Sequence, residues 1–386
     1  MVIGMKKTII TLLIGVLLFL IVPVQVSAAS GESENTSDIY DKQLEKSGAD
    51  QLYYSLPEET KQILSSINYD SLEPDKLMDL KYSSILPALE DMITAKGQKP
   101  LQMLMTASGI LLICALAGSA GILSTDSPLK RNISAVGSLC ICGCCIYPLC
   151  SLVAQCSAVI EGAAGFMSMY APVMAGLMLS SSHPMTGSAY YTSLMGTSEM
   201  LGLLCSKLIL PFLNVFLALS VVSSLSPGLD LSGICKVISK CMKWILNFAL
   251  GIFVTIISAQ TIITSSMDEM SSRAVKFAVN SFVPFVGGVL SETVNAFSGS
   301  LSVLKSGVGV FVIIASACIF LPVLIECIIW RMGFFVLGAA ADMLGLELPG
   351  ASVKSIDSVC SLLTAVLLVT LTVFIISTVI VIIAAR

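Results

Sequence analysis

Three stretches of this chain, Leu101–Leu123, Ile133–Ile160 and Val359–Ala385, run without a single charged residue. As helices, each is long enough to cross the ~30 Å hydrocarbon core of a bilayer, which takes about 20 apolar residues. Apolar side chains follow one another in these runs instead of alternating with polar ones, so the pattern is that of spanning helices and not of barrel strands. Leu208–Ser226, Ile245–Thr264 and Val308–Trp330 read as further spans. Ala163–Ser182 and Phe282–Leu290 are shorter or interrupted by Pro and Gly, and read as broken or re-entrant helices. The fold class expected is therefore an all-α polytopic membrane protein.

Composition agrees. Only 12% of the residues are charged and 55% are hydrophobic, against about 25% charged in a soluble domain. The charge is also segregated. Ser30 to Lys99 holds 14 acids and 7 Lys, whereas the remainder is weakly basic. No basic face exists for nucleic acid to bind.

The N-terminus carries Lys6 and Lys7, an apolar stretch from Ile9 to Val24, and Val26-Ser27-Ala28 with small residues at the −3 and −1 positions. That is the layout of a secretory signal peptide. The organisation expected is a signal peptide at 1–28, an exported acidic, partly helical domain at 29–99, and a transmembrane domain at 100–386. In the exported part, Pro57-Glu58-Glu59 marks a helix start, with Pro in the first turn and acids complementing the helix dipole. Leu64 and Ile67 continue its apolar face. A second periodic stripe runs from Leu77 through Leu80, Ile85, Leu89 and Ile93. These stripes either pack on each other or dock a partner outside the membrane. Lys130-Arg131 and then Lys236, Lys240 and Lys243 mark cytoplasmic loops by the positive-inside rule.

A shift of 112 positions aligns two halves, roughly 130–240 and 242–386. Tyr170-Ala171-Pro172 and Gly176 fall on Phe282-Val283-Pro284 and Gly288. Asp230-Leu231-Ser232-Gly233 falls on Asp342-Met343-Leu344-Gly345, and Cys241 falls on Cys360 after a small insertion. Paired Pro-x-x-x-Gly breaks in two halves point to a transport site near the bilayer midplane. Pro172, Gly176, Pro284 and Gly288 are accordingly the candidate gating or helix-break residues. Glu326, an acid inside an apolar run, is the candidate pathway-lining group. Glu161, Glu199, Glu292 and Asp342 lie nearer span ends.

Thirteen Cys all fall between Cys114 and Cys360, none in the exported segment. Cys142 to Cys145 is formally a C-x-x-C, but successive Cys on one helix point around its cylinder. They read as reduced packing residues, not as a metal or redox site. The single His, His183, precedes a Pro in a turn. No P-loop, HExxH or G-x-S-x-G is present. No catalytic pair, cofactor site or metal site is expected, and the chain does not read as an enzyme.

The run from Arg273 to Val310 resembles the stage III sporulation protein AE family. Its carriers are Arg273, Lys276-Phe277, Phe282, Pro284, Gly287 and Leu304-Lys305 through Gly307-Val308-Gly309, joined by Val237-Ile238-Ser239-Lys240. The order of signal, acidic exported segment and spans resembles the family as well. The resemblance implies an endospore-forming bacterium and a multi-pass location in the mother-cell membrane around the forespore. It implies a permease-like component of a channel or secretion complex needed for late forespore gene expression. The implied partners are other proteins of the stage III sporulation A operon and a forespore membrane protein, with self-association left open. The residues alone leave two alternatives: an autonomous secondary transporter of a small solute, and a membrane scaffold for partner proteins.

Overall fold

A computed structural model describes residues 43–45, 47–67, 69, 82–119, 128–180, 184–225, 232–282 and 287–384. The signal peptide, His183, Pro284 and Asp230 lie outside the described residues, as do the surroundings of Gly288 and the side chain of Glu292. Among the described residues every element is helical: α1 Gln51–Tyr54, α2 Glu58–Ser66, α3 Tyr82–Ser119, α4 Pro128–Ser180 and α5 Pro184–Leu203. A π-helical turn, Leu204–Ile209, leads into α6 Leu210–Leu225. Then come α7 Ser232–Phe282, α8 Gly287–Met343 and α9 Glu347–Ala384.

Among the described residues, six stretches are long and apolar enough to cross a membrane: Pro87–Ala117, Asn132–Ser180, Met185–Leu219, Gly233–Met270, Leu301–Met343 and Glu347–Ile383. They alternate in direction. Cys114 of α3 lies against Gly137 of α4, and Met178 of α4 lies against Gly187 of α5. Ser193 of α5 meets Gln260 of α7. α8 and α9 form a long antiparallel hairpin, from Phe320 beside Phe374 to Asp342 paired with Lys354 at 2.7 Å. Its turn is closed by Leu346 N donating to Ala341 O, with Gly345 at φ +67°. That left-handed residue is one only Gly adopts without cost.

The helices are longer than the apolar runs suggested. α4 has 53 residues and α8 has 57, or about 80 Å and 85 Å at 1.5 Å per residue. The expected span Ile133–Ile160 and the expected re-entrant run Ala163–Ser182, as far as Ser180, are one continuous helix. Pro148 and Pro172 lie inside α4, and Pro322 lies inside α8. A proline frees only one carbonyl and can be carried by a helix braced on several sides. α4 is so braced, by α3, α5, α8 and α9.

The larger core cluster is dominated by α4, α8 and α9, and a smaller one joins α3 to α8. Close approaches occur where a side chain is missing. A Cβ on Gly333 would lie 2.0 Å from Leu104 Cδ1, and one on Gly309 would lie 2.5 Å from Ile382 Cδ1. Small residues allow such contacts where lipid supplies no hydrophobic drive. The thirteen Cys are free thiols. Cys142 and Cys145 are buried while Cys140 and Cys150 are exposed, so they do point around α4.

Two features differ from the expected division at residue 99. α3 runs unbroken from Tyr82 to Ser119, across that point. In addition, Leu52, Leu56, Ile63, Leu64 and Tyr69 of the acidic segment belong to the core of the bundle.

Candidate functional site

Two places in the bundle gather several polar groups. The first surrounds Glu326, which α8 holds half-buried among Ile325, Cys327 and Ile329. α3 packs alongside in parallel, Leu89 and Ile93 against Leu321, Ile325 and Ile329. This brings Lys96, Lys99 and Glu59 within electrostatic reach of the Glu326 carboxyl. Lys96 Nζ is 2.6 Å from Glu59 Oε1, so α2 is tied to α3 directly beside Glu326. An acid in an apolar helix is tolerated when cations neutralise it, and here α3 supplies them. Cys156 of α4 and Cys360 of α9 are also near Cys327, the residue after Glu326. Among the described residues no group of His, Cys, Asp and Glu has a geometry that holds a metal ion.

The second place is a polar seam between α5 and α7. Asp268 of α7 is 1% exposed. Its Oδ1 accepts from Met185 N at 3.0 Å and its Oδ2 accepts from Thr186 N at 2.8 Å. These are two of the N–H groups left unpaired at the start of any α-helix, and a carboxylate there also complements the helix dipole. Pro184 opens α5 in the position where a missing N–H costs nothing. Below this cap, Ser193 donates to Gln260, and Thr186, Ala189, Tyr190, Ser193, Ile257, Gln260 and Thr264 line a small cleft. The Tyr190 ring, at the wall of this cleft, meets Tyr170 of α4 edge-on at 6.3 Å, next to Ser377 and Thr378 of α9. The hydroxyls of Thr186, Tyr170, Tyr190 and Ser377 are buried there without a hydrogen bond of good geometry.

The sequence-derived candidates relate to these places unequally. Pro172 and Gly176 lie in the last turns of α4, just past Tyr170, and the helix continues through both to Ser180. A Cβ on Gly176 would meet nothing within 4 Å. Pro284 lies outside the described residues; α7 ends at Phe282 and α8 starts at Gly287. Glu326 belongs to the first place and is not brought together with Pro172 or Gly176. Glu161 is exposed and accepts from Ser157 Oγ at 3.2 Å. Asp342 pairs with Lys354. Of the two residues matched by the proposed repeat, Cys241 is exposed and Cys360 is buried.

Asp268, Gln260, Tyr170 and Tyr190 were not singled out from the sequence. Asp268 sits in Met267-Asp268-Glu269-Met270 at the end of an apolar run and looks like any interfacial acid. The available signal was the spacing of Gln260, Thr264 and Asp268, which puts three polar groups on one face of a helix at successive turns.

These features define a polytopic α-helical membrane protein with six candidate spans and polar groups turned into its interior. A family model for stage III sporulation protein AE matches residues 77–385, and the chain belongs to that family. The stage III sporulation protein AE of Bacillus subtilis (strain 168) is 21% identical over 160 residues, covering 42% of this chain and 40% of that protein. The match thus spans well under half of the relative's length. No solved structure matches the chain.

Proposed function

We propose that the chain is a permease-like membrane component of a sporulation channel or secretion complex that joins mother cell and forespore and sustains late forespore gene expression. Family membership supports the sporulation role. The observation that carries the permease reading is the seam between α5 and α7. A membrane bundle stabilised by packing alone needs no buried carboxylate and no buried hydroxyls of Thr186 and Tyr190 between two spans, with an amide and further hydroxyls beside them. Polar groups facing inward from spans mark pathways.

The arrangement of charge supports an exported N-terminal segment; the mother-cell membrane is the location that the family reading implies. Lys130 and Arg131 lie at the start of α4, and Lys236, Lys240 and Lys243 at the start of α7. The alternation of the helices brings both sets to one end of the bundle, the cytoplasmic end by the positive-inside rule. Glu59 of α2 and its flanking residues Pro57 and Tyr69 meet the bundle at Lys96, Gly162 and Phe311, away from that end. In this reading the other stage III sporulation A-operon proteins and the forespore membrane partner meet the acidic outer face of the segment. Its apolar face is already used on the bundle.

The test is a Gln260→Leu, Ser193→Leu double variant in the sporulating host. Its membrane level is followed by immunoblot, and late forespore reporter activity and heat-resistant spores are counted. Loss of both at an unchanged protein level is expected. Normal sporulation would overturn the permease reading.

A further inference from the structure

α7 and α8 run in opposite directions, and each changes from charged to apolar at a tryptophan. On α7, Lys240 and Lys243 precede Trp244 and the apolar run to Thr264. On α8 the apolar run from Val308 ends at Trp330, and Arg331 follows it. A cation next to a tryptophan at the end of an apolar run marks the boundary between hydrocarbon and water. The fold brings the two boundaries together at Asp357 of α9. Arg331 Nε lies 3.9 Å from Asp357 Oδ1, and Lys243 is within electrostatic reach of the same carboxylate.

The cluster carries a surplus of positive charge. Lys243 and Arg331 share one acid, and Lys240 adds a third cation one turn from Trp244. Lys354, a turn before Asp357, is already paired with Asp342 at 2.7 Å. The approach of Arg331 to Asp357 is too long for a hydrogen bond, and neither Arg331 Nε nor Asp357 Oδ1 has one to a described residue. The Arg331 side chain keeps 42% of its exposure, and a guanidinium presents five N–H donors in a fork that fits a phosphate. Lys240 and Lys243 are exposed as well.

The surface next to these cations is apolar. Trp244, Phe248, Ile252 and Ile256 recur every four residues, which lines them up along one face of α7. They are 64%, 55%, 40% and 49% exposed, and the rings of Trp244 and Phe248 stack at 5.2 Å. The stripe leads from Lys240 into the hydrocarbon.

We propose that Lys240, Lys243 and Arg331 form a site for the phosphate of an anionic phospholipid whose acyl chains lie along the Trp244–Ile256 stripe. Asp357 positions the Arg331 guanidinium. A zwitterionic headgroup brings its own cation into the positive surplus and gains less. A free phosphate would use the cations and leave the stripe without a role. The site goes beyond the sporulation reading and does not depend on it.

The chain contains two tryptophans, and Trp330 is 1% exposed, so Trp244 is a built-in reporter. The full-length protein is placed in phosphatidylcholine vesicles holding a minor fraction of brominated phosphatidylglycerol or brominated phosphatidylcholine, and quenching of the indole fluorescence gives the relative association of each lipid. Phosphatidylglycerol is expected to quench more strongly at equal mole fraction. That preference should fall about fivefold for each cation lost in Lys240→Gln and Lys243→Gln and survive in a Lys240→Arg, Lys243→Arg chain. Trp244→Phe should abolish the signal. Equal quenching of the parent protein by the two lipids would overturn the site, and so would an unchanged preference in the Lys240→Gln, Lys243→Gln chain. Quenching that persists in Trp244→Phe would remove the lipid from the stripe. Loss of the preference on adding inorganic phosphate at constant ionic strength would assign the cations to a soluble anion and overturn the lipid.

Discussion

The α8–α9 hairpin and the α5–α7 pair associate by different physics. α8 packs on α9 and α3 through missing side chains: Gly309 receives Ile382, Gly333 receives Leu104, and Phe320 meets Phe374. The α5–α7 pair is joined by Asp268 on the start of α5 and by Ser193 on Gln260. The first contact is dry, buried and shape-dependent. The second is polar and flanked by exposed apolar residues such as Ile252, Ile256, Ile263 and Met267. The bundle thus has a packed core and a polar wing. A wing held by a few hydrogen bonds can rearrange at a cost that a close-packed hairpin cannot match.

The sharpest way to break this comparison is at Gly333. A Gly333→Leu chain must force Leu104 and then α3 away from α8. Overpacking of this kind costs about 3 kcal/mol. The thermal midpoint in detergent should fall steeply, with loss of protein from the membrane fraction. A Gly333→Leu protein of normal stability would show that α3 is not locked onto α8.

Asp268→Ala should come next. It leaves the N–H groups of Met185 and Thr186 without their acceptor in a buried place, a loss of about 2 kcal/mol for charge-assisted bonds. Asp268→Asn keeps one acceptor oxygen and should recover part of the loss. Limited proteolysis at the α4–α5 connection, together with the thermal midpoint, separates local release of α5 from global unfolding. Equal behaviour of Ala and Asn would remove the capping account.

How much of this was legible beforehand depends on the residue. Lipid forces spanning segments to be helical and apolar, so the spans could be read directly. Their true lengths could not. Pro172 looks like a helix break, yet neighbouring helices hold it inside α4, and Lys99 looked like a domain edge inside what is one helix. Glu326 was visible as an acid in an apolar run, but Lys96 and Glu59 near it depend on which face α3 turns to α8. Asp268 was hidden because a buried cap and an exposed interfacial acid have the same local sequence. Tyr69 and Leu64 showed an amphipathic stripe, but the stripe does not say what it covers.

A smaller effect should come from the contact between Ser193 and Gln260. A double-mutant cycle with Ser193→Ala and Gln260→Ala should give a coupling of about 0.6 kcal/mol, the usual size for side-chain hydrogen bonds between spans. A coupling of several kcal/mol would mean that the wing is as rigid as the hairpin, contrary to the comparison.

The smallest effect on stability is expected at Gly176, which makes it the most informative about gating. Gly309, Gly333 and Gly187 are all crowded, and Gly187 would bring a Cβ to 3.1 Å from the Ala175 carbonyl oxygen. Substitutions there confound packing with any passage. Around Gly176 nothing lies within 4 Å of an added Cβ, so Gly176→Leu should leave the stability within about 0.5 kcal/mol of the parent, with little change in the thermal midpoint. Leucine would then fill space next to the α4–α5 turn without disturbing the bundle. If that space belongs to the passage, spore counts fall while protein level and melting stay unchanged, and Gly176→Ala, with its smaller side chain, falls less. Normal counts from a stable Gly176→Leu protein would eliminate this residue from the gate and leave the polar wing to carry the function alone.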